Sequence, residues 1–179
     1  PENVAWTLNI RGSDNPYSPI PNSRLIIGKN KKLYLIANKK KVLKIIKEGK
    51  VSKSQLVDPK KFSTLIHNLK GNKFTIDSNS CSVFNENIIK SKFKIISKYD
   101  PCYDFKSIKN PTEIKHMTSA HIADGVALTK FIYWIKNKKN INLSEIDAQN
   151  KLEKFRKLNN NYLFPSFNTI AGTGSNGAI

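Results

Sequence analysis

Asn110-Pro111-Thr112-Glu113 constrains this chain more than any other stretch. Asn is a favoured helix N-cap. Proline suits the first helical position, where its missing N–H would have no partner anyway, and Glu at the third can reach back to the cap amide. Behind this start Ile114, Met117, Ala120 or His121, Ala127, Leu128, Phe131 and Ile135 recur at helical spacing, which predicts one long helix to about Asn137. Leu143-Ser144-Glu145-Ile146-Asp147 predicts a second helix capped by Ser144, with Ile146, Leu152, Phe155 and Leu158 turned inward and Asn159-Asn160-Asn161 breaking it. Tyr162 to Ala171 reads as a strand, Gly172 to Gly177 as a Gly-rich turn, and Ala178-Ile179 as the start of another strand.

The first hundred residues alternate strand and helix signals. Val4 to Ile10 has the period of two of a half-buried strand, and Arg11 to Pro16 punctuates it as a loop. Arg24–Gly28 and Lys32–Ile36 are short apolar runs around Gly28-Lys29-Asn30-Lys31, a hairpin signal. Val42, Leu43, Ile45 and Ile46 fit an amphipathic helix in a very basic setting. Asp58 can cap a helix starting at Pro59, with Phe62, Leu65, Ile66 and Leu69 on one face and Gly71 ending it. Strands are predicted at Lys73–Asp77 and Phe93–Ile96. This alternation predicts an α/β layer, and the composition shifts at Asp100-Pro101-Cys102. A chain that opens on a strand at Pro1 and stops on Ala178-Ile179 straight after a turn is expected to be an internal piece of a longer protein.

Lys plus Arg is 31 against 13 acids, a net charge of +18, which is the footprint of a nucleic-acid binder. Only Arg11, Arg24 and Arg156 are Arg, however, and phosphate and base readers favour the bidentate guanidinium. The lysines also run through the whole chain beside an excess of Asn, as an A/T-rich genome would produce. Solvated surface lysines are therefore expected, and a nucleic-acid partner is not. No apolar run approaches the roughly 20 residues of a membrane helix, so no membrane partner is expected. With no signal-type start and only Cys81 and Cys102, the reading is two free thiols in a reducing, cytoplasmic compartment.

Residue chemistry alone offers little catalysis. His67 sits beside the apolar face of its helix. His116 and His121 are five apart, about 140° around a helix, whereas a two-His metal face needs a spacing of four. All three are expected to be structural or surface residues, with His121 at the long helix's buried edge. Asp124 is expected to be solvated or paired, and Glu145 and Asp147 to favour the helix dipole. Gly172, Gly174 and Gly177 match the letters of a dinucleotide fingerprint, but no amphipathic helix follows, and a tight turn is the expectation. Ser175 lacks the glycine spacing of a nucleophile elbow.

Four ordered segments resemble the long, cytosolic form of Xaa-Pro aminopeptidase. They are Ala5 to Asp14 with Asn15-Pro16-Tyr17-Ser18-Pro19; Asp100-Pro101-Cys102 with Lys109 to Ile114; Ala120 to Leu128; and Phe164 to Ile170 with Gly174 to Ile179. Prolidase and creatinase share the catalytic fold, but Arg11-Gly12-Ser13-Asp14 and Asp100-Pro101-Cys102 favour aminopeptidase P. The resemblance implies a partial creatinase N-terminal-like α/β domain over residues 1–99, and the start of a pita-bread metallopeptidase domain over residues 100–179. It implies removal of an N-terminal residue that precedes proline, by two metal ions, usually manganese, whose carboxylate and His ligands suit that metal. The partners it implies are a proline-containing peptide and, in the intact enzyme, a second copy as a homodimer. The family's metal ligands would all lie beyond Ile179, so this chain alone is expected to be inactive. Phe167 and Thr169 match the strand that lines the family's active-site floor and are the substrate-binding candidates.

Overall fold

The computed structural model describes residues 1–138 and 143–177, which fall into two units, Pro1–Ile108 and Lys109 onward. The first unit opens on helix α1 (Glu2–Thr7), where the alternating pattern predicts a strand. Val4 and Leu8 alternate, but they are also four residues apart, and both pack into one cluster. The helix stops at Asn9, which takes the left-handed conformation with φ 46°.

Strand β1 (Arg24–Ile27) turns through Gly28 into β2 (Leu33–Ile36), with Gly28 N–H donating to the Lys32 carbonyl at 2.8 Å and Ile27 opposite Leu33. The expected hairpin forms. Helix α2 (Leu43–Lys47) follows, and then β3 (Leu56–Val57) runs parallel to β2 on its other edge. The Asp58 carboxylate accepts from Lys60 N–H at 2.9 Å, starting a 3-10 turn at Pro59–Lys61 that passes into α3 (Phe62–Asn68). A second sheet holds β4 (Lys73–Ile76) parallel to β5 (Lys94–Ser97), connected by α4 (Val83–Lys90). Helix α5 (Cys102–Ser107) closes the unit and packs on α1.

Strand alternation sorts the core into two layers. Leu35, fully buried, meets Val4, Val42 and Val51 on one face of β2. Ile36, 1% exposed, meets Phe62, Ile66, Ile76, Ile89 and Phe93 on the other. Helices therefore cover both faces, and the unit is the expected α/β layer. The described lysines all lie at exposed or half-buried positions.

The second unit is built on α6 (Pro111–Asn137) and α7 (Glu145–Arg156), which pack on one another. Both caps form as expected. Glu113 N–H donates to Asn110 Oδ1 and Asn110 N–H to Glu113 Oε2, each at 2.9 Å, and Asp147 N–H donates to Ser144 Oγ at 3.1 Å. The expected inward faces are largely open, however. Ala127 is buried, but Ile114, Met117, Leu128, Ile146 and Leu158 are exposed, and so is His121. Two helices can cover only one stripe of each other, and the apolar side chains of α6 lie all round it. The strand expected over Tyr162 to Ala171 is absent; that segment is irregular, and Gly174–Gly177 is a 3-10 turn. The strand expected at Ala178-Ile179 lies outside the described residues. Among the described residues no helix is long and apolar enough to cross a membrane.

Candidate functional site

Phe167 and Thr169 stand on the irregular segment after α7, both exposed, with Phe167 at 66%. The segment is fixed at its far end by Glu145. This carboxylate accepts from Thr173 N–H at 2.7 Å and from the Asn176 side-chain amide at 3.3 Å. A Cβ on Gly172 would lie 2.6 Å from the Asn176 carbonyl oxygen, so this turn requires glycine there. Glu145, read from sequence only as a first-turn acid, thus ties the Gly-rich turn to α7.

At the near end is Tyr162, whose hydroxyl is sealed from solvent without a hydrogen-bond partner. Burial raises its pKa, and the Glu153 charge adds to the rise. Close by, Arg156 of α7 donates to both oxygens of Asp124 of α6, at 2.6 and 3.1 Å. Asp124 is therefore paired, one of the two outcomes expected of it. That hydrogen bond raises the Arg156 pKa further. This fork joins the two helices α6 and α7.

Among the described residues no group of His, Cys, Asp or Glu side chains converges on that segment. His116 and His121 are exposed on α6, while His67 in the first unit donates from Nδ1 to the Ser63 carbonyl at 2.8 Å. Among the described residues no three His, Cys, Asp or Glu side chains are placed to hold a metal ion together. A two-metal centre does not fit these residues, and no reaction step can be derived through one here. Cys81 and Cys102 are unpaired and half-buried, and burial raises both thiol pKa values.

The motif residues of the first unit prove structural. A Cβ on Gly12 would come within 2.8 Å of Pro21, so only glycine lets the two backbones approach. Asp14 pairs with Lys41 and accepts from Asn22 N–H at 2.8 Å. Those bonds, the Lys41 one foremost, lower its pKa. Asp100 accepts from Asn3 Nδ2 at 2.6 Å and Cys102 N–H at 2.9 Å, while its own N–H donates to Asp77 at 3.2 Å. Burial pushes the Asp100 carboxyl up, but the Cys102 and Asn3 bonds outweigh it and leave it below its ordinary value.

Both aspartates therefore stabilise the fold above the unfolded carboxylate value of about 3.9, and that stability is lost as pH falls through their lowered folded values. Asp100→Asn is expected to lower the urea midpoint at pH 7 and to flatten its decline between pH 5 and 2. Wild-type and variant midpoints that fall in parallel with acid would count against this assignment.

Comparison with known proteins agrees with this architecture. Residues 1–113 match the Creatinase/Prolidase N-terminal domain family, and residues 115–179 match Metallopeptidase family M24. Aminopeptidase P2 of Arabidopsis thaliana is 27% identical, over 99% of this chain and 30% of that protein. A probable Xaa-Pro aminopeptidase P of Arthroderma gypseum is 32% identical over 99% of the chain and 30% of its own length. The chain thus spans about 30% of the relatives it matches. A solved structure of Xaa-Pro dipeptidase from Bacillus anthracis superposes with a TM-score of 0.62 at 17% identity, covering 88% of this chain and 42% of that one. That likeness, at its identity, speaks for the fold. With its first 113 residues matched to one family model and residues 115–179 to the other, the chain belongs to the Creatinase/Prolidase N-terminal domain family, and that domain is followed by sequence similar to Metallopeptidase family M24.

Proposed function

We propose that this chain is the scaffold section of an Xaa-Pro aminopeptidase, which removes the N-terminal residue from peptides with proline in second place. The observation that carries the proposal is the match, over 99% of the chain and so across both units, to proteins named probable Xaa-Pro aminopeptidase P. In this reading the intact enzyme uses a divalent pair, manganese by preference, bound by residues other than those described here. When bound, such a pair polarises the scissile carbonyl and activates the attacking water.

The chain's own part is a wall for the substrate. Phe167 offers an exposed ring against which a proline ring packs, and the Thr169 hydroxyl offers a hydrogen bond. Glu145 anchors the Gly-rich turn that follows the segment.

The test is manganese-dependent release of the first residue from an Xaa-Pro peptide by the longer protein that contains this chain. Phe167→Ala in that protein is expected to raise KM roughly tenfold with kcat little changed, about 1.4 kcal/mol of binding. The 179-residue chain alone is expected to show neither release nor saturable manganese binding. Equal cleavage of Xaa-Ala and Xaa-Pro peptides by the longer protein would sink the proposal, as would turnover by the 179-residue chain itself.

A further inference from the structure

One dipeptide in the Gly-rich turn carries a chemistry of its own. Asn176 is the only asparagine of the chain that precedes a glycine, Gly177. The side-chain carbon of an asparagine can be attacked by the backbone nitrogen of the next residue, and a Cβ on that residue obstructs the approach. Glycine has no Cβ, and its backbone turns freely into the geometry that closure needs.

The structure leaves this dipeptide in the open. Residues 172–177 are exposed throughout, and the pair ends a 3-10 turn of four residues, Gly174–Gly177. Hydrogen bonds in such a turn have poor geometry, so it opens easily. The Asn176 amide nitrogen reaches the two Glu145 oxygens at 3.3 and 3.4 Å, longer than the roughly 2.7–2.9 Å of a strong charge-assisted bond. That hold is loose. The chain's one Asp-Gly pair, Asp124-Gly125, can form the same cyclic imide but is shut in. It lies inside α6, and both Asp124 oxygens accept from Arg156, at 2.6 and 3.1 Å.

We propose that Asn176 is a deamidation site, and that its conversion unhooks the Gly-rich turn from α7. The Gly177 nitrogen bonds to the Asn176 side-chain carbon, the bond from that carbon to the amide nitrogen breaks, and ammonia leaves with the Gly177 proton. The cyclic imide then takes up one water at either carbonyl, which leaves aspartate or isoaspartate at position 176. Water is the only co-reactant. The amide that donated to Glu145 is thereby replaced by a second carboxylate beside the first, and like charges so close repel. As Glu145 draws away, Thr173 N–H loses the acceptor it now has at 2.7 Å. Both ties between the turn and α7 are then gone, and the change runs one way, so it records the age of the molecule. The inference concerns this chain's own residues and does not depend on the peptidase reading.

The test ages the longer protein that contains this chain in mildly alkaline buffer and maps its peptides by mass. Conversion at position 176, seen as water gained for ammonia lost together with an isoaspartate product, is expected to run ahead of Asn79 before Ser80. No isoaspartate is expected at position 124. Among the described residues a Cβ on Gly177 would meet nothing closer than 3.6 Å, so Gly177→Ala should fold and is expected to slow the conversion about tenfold or more. An intact Asn176 after Asn79 has converted would overturn the site. So would Gly177→Ala converting at the wild-type rate, or isoaspartate forming as fast at position 124. The release is read separately, as amide hydrogen exchange at Thr173. Asn176→Asp is expected to speed it about tenfold or more, and Glu145→Gln added to that variant to restore the slow rate. In the double variant the glutamine oxygen accepts from Thr173 N–H while its amide donates to the new carboxylate. Unchanged exchange in Asn176→Asp, or no rescue in the double variant, would overturn the switch. None of these readouts uses peptidase activity, so their failure leaves the enzymatic reading standing, and an inactive longer protein would sink that reading alone.

Discussion

Replacing Ile66 with alanine is expected to destabilise the first unit by about 4 kcal/mol, within the range for large-to-small changes at sealed sites. Ile66 is fully buried on α3, among Ile36 of β2, Ile76 of β4 and Ile89 of α4. Its neighbours come from two sheets and two helices, none of which can move in to fill the space without leaving other partners. A total stability of about 5–15 kcal/mol leaves little margin for such a loss. Urea unfolding followed through the amide signals of β2 measures it specifically in this unit. A change under about 1 kcal/mol would mean that α3 does not bind the two sheets into one core.

Leu35→Ala is expected to cost about 3 kcal/mol by the same mechanism on the opposite face. Leu35 is fully buried among Val4, Ala37, Val42 and Val51, and none of these belongs to the buried set around Ile66. The two losses should therefore add to within about 0.5 kcal/mol in the double variant. Strong coupling between them would show that β2 transmits strain from one layer to the other. Additivity would show that the strand acts as a rigid partition.

The elements legible in the sequence are those with a local chemical signature. Asn110, Pro111 and Glu113 mark the start of α6, Asp58 marks the turn into α3, and Gly28 marks the hairpin, because each acts on backbone groups within a few residues. Helix α1 was hidden because Val4 and Leu8 satisfy both a strand and a helix period, and packing against Leu35 decides between them. Helix α4 follows a serine cap, Ser82, whose hydroxyl accepts from Asn85 N–H, a signal masked by the surrounding turn-like polar residues. Helix α5 begins where Asp100 accepts from Cys102 N–H, although the sequence there shows only a shift in composition.

The segment around Phe167 shows the opposite limit. Its apolar and β-branched residues read as a strand, but a strand exists only beside another, and the described part of the second unit has none. The family was legible through Gly12, Asp14 and Asp100, and the structure gives those residues structural tasks: a close approach, an ion pair and a helix start. The wall residues carry no local signature, since what makes a ring a substrate contact is the space in front of it.

The bonds around Asp100 set a schedule for the making of the protein. Asn3 reaches Asp100 across 97 residues of sequence, and Lys106 returns to Asn3 across 103. During synthesis α1 leaves the ribosome about a hundred residues before its closing partners. At about 5–20 residues per second that interval is roughly 5–20 s, during which the Asn3 side chain waits for Asp100 and Lys106. Contacts this distant in sequence also slow the final closure, because the loop entropy is lost before the bonds form. A nascent chain halted before residue 100 would hold both sheets without the knot that ties its beginning to its end.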